Sequence, residues 1–146
     1  MRRALIWAVD LAFVANGLFM VVAPAAWYGF IPGVANSGPF NPHFVRDIGC
    51  AYLVAGGGLL WFAFDGRARA AAVIAAGFLT LHALVHLLDW AADRESLMQL
   101  AIDAPTVLVP GAFIFKIARP GSAFFKERTY DQMAAAAAPR RIRTEL

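Results

Sequence analysis

Four long apolar segments set the limits on how this chain can fold. They cover residues 4–23, 44–64, 68–90 and 97–117 of a chain of 146 residues. Each is close to or above the ~20 apolar residues that an α-helix needs to cross the hydrocarbon core of a bilayer. Because 60% of the residues are hydrophobic and only 16% are charged, a soluble core of this size cannot bury all the apolar surface. The sequence therefore predicts an all-α, membrane-embedded four-helix bundle over residues 1–118.

The positions of the basic residues indicate which helix ends face the cytoplasm. Those beside the apolar segments are Arg2, Arg3, Arg67, Arg69, Lys116, Arg119, Lys126 and Arg128. The first connection, residues 24–41, carries no charge, and the third, residues 91–96, has one Arg against two acids. Since Lys and Arg are enriched in cytoplasmic loops, we expect both termini inside and connections one and three outside. Asp10 and Asn16 interrupt the first apolar run, which favours an uncleaved helix over a signal peptide. The prediction is a multi-pass protein of the cell inner membrane.

Residues 119–146 form a basic tail after the fourth segment, with six basic residues against three acids. Beside a cytoplasmic leaflet such a tail favours contact with anionic lipid head groups. We expect it to be partly disordered or to form a short helix. No nucleic-acid recognition motif accompanies its charge, so we expect no nucleic-acid partner. Cys50 is the single cysteine, which excludes an intrachain disulfide and a cysteine-based metal cage.

Proline and glycine positions predict local departures from regular helix geometry. The first connection is rich in Pro, Gly and aromatic residues, which is typical of an interfacial connector or of a lid. Small residues around Gly49 and Gly56 predict a packing face on the second helix. Pro105 and Pro110 each remove a backbone donor, and we expect them to kink or locally open the fourth helix.

Ionisable residues are concentrated in the outer half of the predicted bundle. They are His43, Arg46, Asp47, His82, His86, Asp89 and Asp103. His82, His86 and Asp89 follow one another at spacings of four and three, which places them on one face of the third helix. Ionisable groups within a membrane-spanning helix are costly, and by default they mark candidate functional sites.

One interpretation of these outer residues is a transition-metal site. Two His one helical turn apart can share an ion, and carboxylates at the same depth can complete the ligand set. The predicted metal ligands are His82, His86, Asp89 and Asp103, and the predicted catalytic residues are His43, Arg46 and Asp47. In this interpretation Asp47 and His43 handle protons, and Arg46 positions an anionic or carbonyl group. We expect iron, copper or zinc, and redox chemistry on a lipophilic substrate.

Other interpretations of the same residues stay open at this point. Haem fits less well, because two His on one helix face cannot take opposite axial positions, and His43 would have to supply one ligand. A cofactor-free proton relay, or a polar pocket for a quinone or lipid, is a third interpretation. Interhelical hydrogen bonds without any ligand are a fourth. The chain would then be a non-enzymatic accessory or scaffold subunit of a larger membrane complex, or a homo-oligomer.

The segments GPFNPHFVRDIGCAYLVAGG and LTLHALVHLLDW carry a resemblance to a known group of proteins. Their layout resembles the small four-helix bacterial membrane proteins grouped as DoxX-like, over about the first 118 residues. The resemblance implies an inner-membrane helical bundle. It also implies association with oxidoreductase systems, including quinone-linked sulfur oxidation. It assigns no catalytic residue in this chain.

Overall fold

The structure, a computed structural model, describes residues 2–118 and Met133, and this part of the chain contains helices and turns but no β-strand. The helices are α1 (Arg2–Val22), α2 (Pro24–Phe30), α3 (Pro42–Phe64), α4 (Arg69–Ala91), α5 (Leu97–Asp103) and α6 (Val109–Ala118). Short 3₁₀ turns lie at Val34–Asn36 and Gly66–Ala68, and a π-helical turn, Ala104–Leu108, joins α5 to α6. The all-α prediction is confirmed. The predicted tail lies outside the described residues, apart from Met133.

Three stretches of helix are long and apolar enough to cross a bilayer. They are Pro42–Phe64, Gly66–Ala91 and Leu97–Lys116, and a shorter apolar helix covers Trp7–Val22. At 1.5 Å per residue, the 23 residues of α3 extend about 35 Å, which exceeds the hydrocarbon thickness of ~30 Å. The structure thus contains helices of the length that the sequence predicts, three of them full spans by length and composition.

Capping residues fix where the helices on the predicted outer side begin. The side chain of Asn41 accepts hydrogen bonds from the backbone N–H groups of His43 and Phe44, at 3.1 and 3.2 Å. Pro42 follows at the first helical position, where its missing N–H costs nothing. The Ser96 hydroxyl accepts from the Gln99 N–H at 3.1 Å and starts α5. These caps hold in register the helix ends that carry the candidate site.

The long helices pack in the order in which the chain makes them. Among the described residues α1 packs against α3, α3 against α4, and α4 against α6, whereas α1 and α6 form no such packed pair. α1 and α3 approach each other closely at Gly49, which has no side chain. A Cβ added there would lie only 2.8 Å from the Met20 Cβ. On the other side of α3, a Cβ at Gly58 would lie 3.2 Å from the Ala71 carbonyl. The predicted small-residue packing face on α3 therefore contacts both neighbouring helices.

The first connection folds back against the helices instead of extending away from them. The Trp27 indole N–H on α2 donates to Asn16 Oδ1 of α1 at 2.9 Å. Gln99 Nε2 of α5 donates to the Pro32 carbonyl at 3.2 Å. Gly33 adopts a left-handed φ of 85°, and a Cβ there would lie 2.1 Å from the Gln99 carboxamide. The connection thus covers the end of the bundle where α1 and α5 meet it.

Candidate functional site

One imidazole and two carboxylates converge where α4, the following turn and α5 meet. His86 Nδ1 lies 3.4 Å from Glu95 Oε1 and 3.2 Å from Asp103 Oδ2. One possible ligand atom from each residue lies within 4.8 Å of the others. Two atoms that each bind one ion at ~2.0–2.3 Å lie about 3–4 Å from one another, so the separations of His86 Nδ1 from the two carboxylates are compatible with a shared metal ion. These three residues are called the His–Glu–Asp group below.

The turn between α4 and α5 brings Glu95 back toward His86. Asp93 adopts a left-handed φ of 55°, which reverses the chain within a few residues. The Arg94 and Glu95 N–H groups then donate to the Asp89 carbonyl, at 2.9 and 3.3 Å. Because this backbone arrangement closes over the last turns of α4, the Glu95 side chain lies beside a His that is nine positions earlier in the chain.

Two neighbouring side chains hold Asp103 in place. Gln99, one turn earlier on α5, donates from Nε2 to Asp103 Oδ1 at 3.0 Å and also bonds the Pro32 carbonyl. The Thr106 hydroxyl donates to the Asp103 carbonyl at 3.2 Å, within the π-helical turn. Asp103 therefore presents Oδ2 to His86, while its other oxygen is tied to the first connection through Gln99. Such support of a ligand by its own hydrogen bonds is typical of metal centres.

The Glu95 carboxylate is poorly compensated by the described part of the chain. The side chains of His86, Glu95 and Asp103 are 24%, 14% and 13% exposed. Burial, and then a hydrogen bond with Asp103, raise the pKa of the Glu95 carboxyl above its ordinary value. Glu95 Oε2 is buried and has no hydrogen-bond partner among the described residues. A bound cation would compensate both carboxylates and supply a partner for this oxygen.

His82 lies next to the group within a set of aromatic rings. Its ring centroid is 5.1 Å from that of His86, 5.6 Å from that of Tyr52 and 6.0 Å from that of Phe78. It is not part of the three-residue set whose ligand atoms lie within 4.8 Å of one another. His82 therefore lies between the His86 ring and the aromatic rings of Tyr52 and Phe78.

A cleft of about 560 Å³ lies against one side of the His–Glu–Asp group. Its walls come from α1 and from the stretch 102–110, with Tyr52 and His82 between them and Trp27 at its end. Most of the lining is apolar, including Phe13, Val107 and Pro110. The cleft thus offers an apolar chamber whose polar groups lie at the end formed by the first connection.

A second, more polar cavity of about 300 Å³ lies on the other side of the group, and we call it the vestibule. It is lined by the first connection, by the turn after α4 and by Gln99. His86 and Asp103 line both the cleft and the vestibule. The imidazole and this carboxylate therefore form a partition between an apolar and a polar space.

The other predicted site residues lie elsewhere. Asp89 Oδ1 accepts from Arg94 Nη1 at 2.9 Å, so this carboxylate pairs with a cation and lines only the vestibule. His43 Nε2 lies 3.4 Å from Asp47 Oδ2 on the exposed surface of α3. Arg46 Nε donates to the Val21 carbonyl at 3.3 Å. None of the three α3 residues lines the cleft or the vestibule, so the structure does not bring them to His86 and Asp103.

Glu95 is the site residue that the sequence reasoning missed. In the sequence, Glu95 contributes to the topology prediction alone, as one of the two acids in the third connection. The signal available was the shortness of that connection, since an acid in a tight turn between antiparallel helices lies near the last turns of the preceding helix. Glu95, nine residues after His86 and eight before Asp103, meets that condition.

Comparisons with protein-family models, with curated proteins and with solved structures found no match for this chain. The resemblance to DoxX-like proteins therefore stays a prediction.

Proposed function

We propose that this chain is a multi-pass protein of the bacterial inner membrane, a four-helix bundle that binds one transition-metal ion at the His–Glu–Asp group. One nitrogen and two carboxylate ligands suit iron, zinc or manganese, and such a set leaves coordination positions open for substrate or water. His86 and Asp103 come from the sequence prediction. Glu95 replaces Asp89 in the proposed ligand set, because Asp89 is paired with Arg94.

The observation that carries the proposal is the position of the group between the cleft and the vestibule. An ion held by His86 and Asp103 would be reached from the cleft by a lipophilic molecule and from the vestibule by water or protons. Metal ions act as Lewis acids, activate water or change oxidation state at such open positions. We propose redox chemistry on a lipophilic substrate as the reaction class.

The proposal is tested by metal content. The full chain, purified in detergent, is expected to hold about one transition-metal ion by elemental analysis. Deprotonated imidazole and carboxylate side chains bind such ions tightly enough to keep them during purification. His86→Ala, Glu95→Gln and Asp103→Asn should each lose it. His43→Ala and Asp47→Asn are matched controls, because they alter the other His–carboxylate pair of the chain, also 3.4 Å apart. They should keep the metal.

Two outcomes contradict the proposal. Substoichiometric metal in the parent chain, even after reconstitution with iron, zinc and manganese, excludes the centre. Equal loss of metal from the His43 and Asp47 variants places the ion on α3 instead. A visible spectrum recorded on the same samples distinguishes haem, whose Soret band would disappear with an axial His.

A further inference from the structure

We infer that the cleft binds one uncharged amphiphile. The ligand enters laterally from the lipid bilayer, and its polar head lies toward His82 while its hydrocarbon tail lies along α1. The inference deepens the proposed function by naming the class of lipophilic molecule, and it rests on that function only in treating this molecule as the substrate.

The open side of the cleft gives the direction of access. α1 and α6 form no packed pair among the described residues. Ala8 and Ala12 on one wall, and Ile102 and Thr106 on the other, line the cleft and are nevertheless exposed. The gap between these walls lies along Leu97–Lys116, which has membrane-crossing length and composition, and along the shorter apolar helix Trp7–Val22. A molecule dissolved in the bilayer can therefore move into the cleft without passing through water.

Polarity changes along the cleft and orients the ligand. α1 and the stretch 102–110 run in opposite directions, so Asn16 and Asp103 mark one end and Ala8 and Pro110 the other. The first end also holds His82 and is covered by the first connection. Hydrogen-bonding groups thus lie at one end and only apolar groups at the other, which is the pattern that an amphiphile requires.

The charges on the lining select the head group. No Lys or Arg is among the residues that line the cleft, and Asp103 is the acid there. A phosphate or carboxylate head would meet a like charge with no Lys or Arg to compensate it, which is costly in a medium of low dielectric constant. A divalent ion at the His–Glu–Asp group would not change this, because the two carboxylates of the group already balance its charge. A hydroxyl or carbonyl head can hydrogen-bond to His82 and to its neighbours without that cost. The volume of about 560 Å³ suits one ligand of moderate size.

The test uses Trp27, which lines the polar end of the cleft, as a fluorescent reporter. Trp7, Trp61 and Trp90 are replaced by Phe, and the chain is placed in lipid nanodiscs. The probes are a long-chain alcohol brominated near its hydroxyl, the same alcohol brominated at the chain end, and the ionised carboxylic acid brominated near its head. Bromine quenches indole fluorescence only at short range. We expect saturable quenching by the first probe and weaker quenching by the other two.

Two small-to-large substitutions on α1 provide the control. Ala12 and Ala15 are both exposed, but only Ala12 lines the cleft. Ala12→Phe should abolish saturable quenching, whereas Ala15→Phe should leave it unchanged. Equal quenching in both variants, or equal quenching by the acid and the alcohol, overturns the inference. Stronger quenching by the chain-end probe reverses the orientation and also overturns it.

The same titration on the His86→Ala variant separates this inference from the proposed function. Saturable quenching in this metal-free variant would show that the cleft binds its ligand without the metal. A parent chain that binds the ligand but holds no metal after reconstitution would remove the metal centre and leave the cleft ligand standing. A parent chain that holds metal at the His–Glu–Asp group but shows no saturable quenching would support the metal centre and overturn the cleft ligand.

Discussion

Asp10 is wholly buried on the face of α1 that packs against α3. Residues of α1 before and after Asp10 contact α3, which shows that Asp10 lies on the same face. The Trp7 and Phe64 rings lie 4.6 Å apart, and a Cβ added at Gly56 would lie 2.7 Å from Val14 Cγ2. Neither carboxylate oxygen of Asp10 has a hydrogen-bond partner among the described residues. A buried polar group without a partner costs free energy of folding.

We therefore expect Asp10→Ala to stabilise the fold. Removing an unpartnered buried group relieves about 1–3 kcal/mol of desolvation, and the cavity left by a carboxyl group offsets only part of this. Asn16→Ala is the control on the same helix, and it should lower the free energy of unfolding because Asn16 Oδ1 accepts from the Trp27 indole. Reversible unfolding in mixed detergent measures both. A less stable Asp10→Ala variant would show that this carboxyl has a favourable interaction in the folded chain.

Sequence spacing singled out His86 and Asp103, and the structure places them 3.2 Å apart. Helical periodicity and a common depth in the predicted bundle were enough for those two residues. The pairing of Asp89 with Arg94 and the return of Glu95 depend on one left-handed residue, Asp93, in the turn. Helical periodicity does not report such a backbone reversal, so it could not indicate that Glu95 lies beside His86 while Asp89 pairs with Arg94.

At the scale of elements, the long helices follow the apolar segments closely. Segments 44–64 and 68–90 correspond to Pro42–Phe64 and Arg69–Ala91. Hydropathy predicts the extent of both helices, and the Asn41 cap fixes the start of the first. Pro105 lies in the π-helical turn Ala104–Leu108, where a local opening of the fourth segment was expected. The short helix Pro24–Phe30 was not predicted. Its stability comes from contacts with α1 and α3 rather than from its own seven residues.

The glycines of α3 differ in how closely they meet other helices, and this difference predicts their tolerance of a methyl group. A Cβ at Gly49 would meet Met20 of α1 at 2.8 Å, whereas one at Gly57 meets nothing within 4 Å. We expect Gly49→Ala to destabilise the chain by about 1–3 kcal/mol through overpacking. Gly57→Ala should be neutral or gain up to ~1 kcal/mol from helix propensity. Thermal unfolding in detergent measures both, and equal effects would contradict the α1–α3 packing described here.

At the scale of the whole molecule, the cleft follows from an incomplete ring of helices. The connections between the second, third and fourth apolar segments are short, which favours packing of these neighbours as antiparallel pairs. Whether the first and last helices then meet depends on side-chain volumes along two surfaces, and no pattern in one sequence reports that sum. Because α1 and α6 do not pack against each other, a cleft remains between them, and the predicted residues His82, His86 and Asp103 line it.

For the membrane-spanning bundle proposed above, the orientation of the chain decides which compartment supplies water and protons to the vestibule. Residues from the first connection and from the turn after α4 line it, and the distribution of Arg and Lys predicts that both lie outside. In a Cys50→Ala background, we expect Ser37→Cys to react with a membrane-impermeant maleimide on intact cells with a permeabilised outer membrane. Ala70→Cys, exposed at the start of α4, should react only in inverted vesicles.

Labelling both variants after detergent treatment controls for thiols that are inaccessible in the fold itself. The opposite pattern would place the first connection in the cytoplasm. The vestibule would then draw its metal ion and protons from the cytoplasm, and the polar end of the cleft would face the inner leaflet. Inverting the topology exchanges the two membrane faces for every helix end, so the same experiment also decides in which leaflet the head group of the proposed cleft ligand would lie.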